Sequence, residues 1–189
     1  MRAMVTGAAA LALLAGCGGR GDEDWKPIDV AGLSESQRGQ YASAEAARDA
    51  LAGELMATLA DELAERGAAG AIAVCKEEAP RIAAATGERL GLRIGRTSWK
   101  LRNPRNAAPA WAEPLLAGQP AEPRAAAAPD GRLGVTLPIR IAAPCLACHG
   151  PTDELEDDVR AALAAQYPGD RATGFQSGDL RGWFWVEVP

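Results

Sequence analysis

Cys145-Leu146-Ala147-Cys148-His149 gathers two of the chain's four cysteines and its sole histidine into five consecutive positions. Thiols three residues apart can each add across a vinyl group of a porphyrin, and the imidazole that follows can bind iron from one face. This is the C-x-x-C-H pattern of covalent haem c attachment. The same spacing also serves a redox disulfide or half of a zinc site. A thioredoxin-like pair, however, opens a helix after an early strand of a βαβ unit, whereas this pair lies late in the chain. A structural zinc needs four ligands, and only Cys75 is left to join the pentad. With a single histidine, bis-histidine ligation is excluded, as is any catalytic dyad that needs a second imidazole.

A six-coordinate iron needs another axial donor, and the soft candidates are Cys75 and Met56. Cys75 shares an apolar helical stripe with Ala71, Ile72, Ala79 and Ile82, which equally suits a small buried hydrophobe. Met56 lies among Leu55, Leu59 and Leu63, a setting for core packing. The pattern leaves Cys75, Met56 and an open or weakly held position all standing. The basic run Arg93, Arg96, Lys100, Arg102 and Arg105 could pair with haem propionates, although solvated strand edges carry such residues too. Tyr167, Trp183 and Trp185 suit the wall of a haem pocket or an ordinary core.

The elements that must position these groups begin after a leader. Arg2 and the apolar run Ala8 to Leu14 have the form of a secretory signal, too short to span a bilayer. Leu14-Ala15-Gly16-Cys17 has the form of a bacterial lipobox, so residues 1–16 are expected to be removed and Cys17 to carry the acyl anchor. Residues 17–33, rich in Gly and Asp, are expected to form a polar tether, and residues 34–189 the domain. This places the protein on the periplasmic side of the cell envelope, where haem c is assembled. Gly18 lacks the aspartate associated with inner-membrane retention, which favours the outer membrane. Losing Arg2 makes the net charge of −5 one unit more negative, a balance that argues against nucleic acid as a partner.

Within the domain, helical spacing predicts a long helix from Ser34 to Gly67 and a shorter one from Ala68 to Ala79, curtailed by Pro80. A strand is expected over 92–101 and a short helix over 110–117. A hairpin of 124–128 and 133–141 follows, turning at Pro129-Asp130-Gly131. The pentad comes directly after it. Thr152 or Asp153 is expected to cap a helix reaching Gln166, with acidic residues at its positive end, and 180–188 forms a last strand. This order predicts an α+β domain with a mainly antiparallel sheet and flanking helices.

Five segments in this order resemble a known family. They are Ala71-Ile72-Ala73-Val74-Cys75, the stretch from Arg96 through Asn103-Pro104 to Asn106, the pentad with Gly150, the stretch from Tyr167 to Phe175, and Gly178-Asp179-Leu180-Arg181-Gly182. Together they resemble the PAS-like single-haem c domain, long catalogued as a domain of unknown function, which occurs alone and as the extracytoplasmic sensor of bacterial signalling proteins. The resemblance spans residues 40 to 188. It implies a PAS-like fold with one haem c and a His/Cys axial pair, which assigns His149 and Cys75 as iron ligands. It also favours Arg96 and Arg102, within a matching motif, for the propionates. The alanine-rich segment from Ala107 to Glu113 departs from the family's usual form.

A thiolate opposite an imidazole stabilises ferric iron, so a low reduction potential is expected. The leading expectation is a membrane-tethered electron-transfer cytochrome with an unidentified redox partner, which the acidic stretch Asp153 to Asp158 could dock. The alternative is a redox or gas sensor in which loss of Cys75 opens the iron to NO or CO and a separate partner carries the signal. Enzymatic activity is not expected. A peroxidase uses a distal acid–base group, and the sole histidine is already proximal; a thiolate-ligated oxygenase needs the face that His149 occupies.

Overall fold

Ser34 starts the longest element in the structure, a computed structural model that describes residues 24–189 apart from the side chains of residues 74 and 75. The Ser34 hydroxyl accepts from the Gln37 amide, and the Gln37 side chain accepts from the Ser34 amide. This reciprocal box satisfies two amides that would otherwise lack partners at the helix start. Helix α1 (Glu35–Leu90) is interrupted at Gly67, whose φ of 67° and ψ of 179° are non-helical. Leu51 and Ile82, on opposite sides of that break, belong to one core cluster. A continuous helix would hold them about 45 Å apart at 1.5 Å per residue. The chain therefore reverses at Gly67, and arms 35–66 and 68–90 fold back toward each other.

The break falls where the sequence predicts it, but the second arm runs beyond the expected Ala79. Pro80 only removes one donor to the preceding turn. The arm ends at Gly91, whose left-handed backbone (φ 67°) lets the amides of Gly91 and Leu92 reach the last carbonyls, those of Glu88 and Gly87.

Strands β1 (Lys26–Ile28), β2 (Arg93–Thr97), β3 (Arg124–Ala127), β4 (Leu133–Arg140) and β5 (Leu180–Val188) form one sheet in the order β1-β3-β4-β5-β2, with every pairing antiparallel. The α+β class and the expected hairpin are thus present. Side chains alternate across the sheet. Leu133, Val135, Leu137, Phe184, Val186 and Val188 face the α1 arms, where Ala44, Ala47 and Leu51 meet them. Trp185 faces the other way, packing with Trp25 around Trp111, Leu115 and Ala126. That second layer comes from the chain between β2 and β3, including the short helix α2 (Glu113–Leu116).

Two expectations need correction. Within the tether predicted over 17–33, residues 26–28 instead pair with Ala125 to Ala127 and Leu33 is buried in the main core. The signal segment 1–16, Cys17 and the tether up to residue 23 lie outside the described residues. The helix expected from Thr152 starts later, as α4 (Asp157–Gln166). Residues 152–154 are in turns and the Pro151 carbonyl accepts from the Glu154 amide, so neither Thr152 nor Asp153 is the cap.

Candidate functional site

The antiparallel β4 delivers the chain through a turn of 3-10 helix (Ala143–Cys145) into the four-residue helix α3 (Leu146–His149). The strands before and after the pentad pair antiparallel, and among the described residues no βαβ unit provides the setting of a thioredoxin-like pair. Cys145 packs on Ile141, Ala172 and Phe175. Cys148 packs on the cluster that joins Ile72 of the second α1 arm to Leu155, Val159, Leu163 and Tyr167 around α4. The pentad therefore sits between the sheet end, α4 and the returning arm of α1.

A loop from Asp170 to Phe175 wraps the pentad. The Phe175 amide donates to the His149 carbonyl at 3.0 Å and the Gly174 amide to the Gly150 carbonyl at 2.8 Å. The Ala172 carbonyl lies 2.6 Å from Nδ1 of His149. A carbonyl can only accept, so Nδ1 carries the proton and the Nε2 lone pair is available to a metal ion. Burial, with the positive charges of Arg102 and Arg181 beside it, pushes the His149 pKa down to about 3. The imidazole is therefore neutral near pH 7, the form that binds iron.

The basic residues divide into distinct roles. Arg102 donates through Nε to Asp170 at 3.0 Å, and through a terminal nitrogen to the Cys148 carbonyl at 2.6 Å and the Ala172 carbonyl at 3.3 Å. Arg96, on β2, contributes positive charge to both His149 and Arg181. Arg181 was not singled out by sequence, yet it lies over Phe175 at 5.4 Å and donates to the Lys100 carbonyl. Burial and the charges of Arg102 and Arg96 push its pKa down to about 10. Lys100 also lies over Phe175, at 4.8 Å, and donates to the Thr173 carbonyl. Arg181 and Asp170 both fall within the matched segments, the signal that could have found them. Arg93 is elsewhere, paired with the buried Glu187, and Arg105 is exposed after the Asn103 cap.

Trp183 joins the site's surroundings through Trp99, 5.4 Å between centroids, which in turn meets Phe175 at 6.2 Å. Tyr167 closes the cluster around Ile72, whereas Trp185 belongs to the opposite layer. Met56 is 46% exposed on the first α1 arm. Position 75 lies on the second arm, three residues after Ile72 and beside Lys76, whose ammonium donates to the Gln166 carbonyl at the end of α4. The Cys75 side chain lies outside the described residues. Asp153, Glu154, Glu156, Asp157 and Asp158 are all exposed next to the pentad. Chemically, the site offers a metal-binding nitrogen, two cysteine sulfurs and a group of guanidinium cations close to the imidazole. Among the described residues, no helix is long and apolar enough to cross a membrane.

A family model described as Tll0287-like matches residues 22–189. The crystal structure of the cyanobacterial haem protein Tll0287 superposes with a TM-score of 0.60 at 23% sequence identity, covering 83% of this chain and 97% of that one. That likeness establishes the fold. No curated protein matches the chain by sequence.

Proposed function

The chain belongs to the Tll0287-like family, and on that premise we propose that it is a mono-haem c-type cytochrome of the periplasm, tethered through Cys17 and transferring electrons at low potential. The observation that carries this reading is the His149 imidazole, held by the Ala172 carbonyl in the tautomer that presents Nε2, directly after Cys148. The donor set fits the cofactor. Cys145 and Cys148 would hold the porphyrin by thioether bonds, and His149 would bind the iron from one face. Arg96, Arg102 and Arg181 lie close enough to lower one another's or the imidazole's proton affinity, a concentration of positive charge that suits two propionates. The haem character of the structurally similar Tll0287 supports the same reading.

Bound iron supplies one-electron exchange. The chain's own contribution is to hold the imidazole neutral and oriented, to bring the second α1 arm against Cys148, and to pack Phe175 and Trp99 beside the proximal ligand. Cys75 is taken as the second ligand on the family resemblance, supported by Ile72 of the same arm belonging to the cluster that Cys148 packs against, whereas Met56 is exposed. The reading is tested by producing the protein with a cytochrome maturation system. A covalent tetrapyrrole, a low-spin thiolate signature in the ferric electron paramagnetic resonance spectrum and loss of that signature in Cys75→Ala are expected. Colourless protein without added mass would refute it. Mixing ferrous protein with CO separates electron transfer, which predicts inertness, from gas sensing, which predicts rapid binding.

A further inference from the structure

Arg102 and Asp170 form an ion pair at 3.0 Å in which both side chains are nearly buried, 13% and 10% exposed. Both partners continue to the same residue. Asp170 accepts from the Ala172 amide at 2.8 Å through its other oxygen, and Arg102 donates to the Ala172 carbonyl at 3.3 Å. That carbonyl is the acceptor for His149 Nδ1. Arg102 also grips the Cys148 carbonyl, one residue before the imidazole. The pair thus fixes both the backbone that carries His149 and the group that orients its ring.

Resting on the haem reading above, we infer that Arg102 is a positioning residue that sets the reduction potential of the bound iron through Ala172, with Asp170 as its counterweight. A hydrogen bond from Nδ1 to a strong acceptor pushes electron density toward Nε2 and favours ferric iron. Arg102 shares that acceptor and weakens its pull. Its removal returns the carbonyl wholly to His149, takes away a positive charge near the iron, and deprives Asp170 of its ion-pair partner. All three consequences favour the ferric state. Removing the Asp170 charge acts in the opposite sense, while an amide at that position can still accept from Ala172.

Midpoint potentials of the full haem-loaded protein test this in Arg102→Gln, Asp170→Asn and Arg102→Lys. The expected result is a fall of about tenfold in the ferrous-to-ferric ratio for Arg102→Gln, about 59 mV for a one-electron couple, and a rise for Asp170→Asn. Arg102→Lys restores part of the potential, because it keeps the charge but not the fork. Hyperfine-shifted proton resonances of the His149 ring should move in Arg102→Gln and return toward wild type in Arg102→Lys. Potentials shifted in the same direction by the first two variants, or unchanged in both, overturn the inference, and so does failure of both variants to retain haem while the wild type keeps it. Wild-type protein that contains no haem defeats the underlying reading instead, and this inference with it.

Discussion

Phe175 holds His149 in two ways: its amide donates to the His149 carbonyl at 3.0 Å, and its ring meets the imidazole edge-on, 6.4 Å between centroids and 83° between planes. Phe175 is 3% exposed and is flanked by Lys100 and Arg181, so one side chain ties the His149 imidazole to the basic cluster. Phe175→Ala should lower stability by about 3–5 kcal/mol, the usual cost of emptying a buried aromatic site. Urea denaturation measures that loss, and a ferric spectrum showing more than one low-spin species would report the loosened ring.

The depressed His149 pKa predicts a pH dependence in protein made without porphyrin, for example with Cys145→Ser and Cys148→Ser. The native imidazole resists protonation until about pH 3, whereas the unfolded one protonates near 6.5. The stabilisation is complete above pH 6.5 and is lost as pH falls from there toward 3. The slope is at most about 1.4 kcal/mol per pH unit. Stability measured between pH 7 and 5 should fall more steeply than in the same protein carrying His149→Gln; equal slopes would contradict the assignment.

Two glycines of α1 predict opposite outcomes. An added Cβ meets no atom within 4 Å at either Gly67 or Gly53. Gly67→Ala forces a side chain onto a φ of 67° and should destabilise by about 1–3 kcal/mol. Gly53→Ala lies inside a helical arm and should stabilise by about 0.5–1 kcal/mol. Thermal unfolding of the two variants side by side checks the reversal at residue 67.

Glu187, 4% exposed, accepts from Arg93 at 3.1 Å across the β2–β5 pairing and also pairs with Arg132. Glu187→Gln should cost about 1.5–3 kcal/mol, the worth of hydrogen bonds to a charged group. This pair tethers the edge strand β2 at the end of β5 away from the pentad, so the loss should appear in denaturation and leave the ferric spectrum unchanged.

Local chemistry made much of this protein legible from sequence. The Ser34 cap, the break at Gly67, the 124–141 hairpin and the last strand follow from side chains acting on their own neighbours, and each lies where those rules place it. The pentad is legible because the haem attachment proposed for it needs its groups within five residues. Strand β1 was hidden because residues 26–28 gain their partner only from β3, about 100 residues on. The late start of α4 was hidden because cap residues at 152 and 153 compete with a Pro151 turn.

Sequence by itself determined which atoms are available: cysteines spaced for a porphyrin, one imidazole and arginines before and after them. Tertiary structure alone decided which arginine does what. Arg102 reaches Asp170 and Ala172 only because the 170–175 loop wraps back to it, and Arg181 donates to the Lys100 carbonyl, 81 residues before it, while lying over Phe175. Hydrogen bonding acts over about 3 Å, so the assignment of these roles waits on a fold that brings distant segments within that reach.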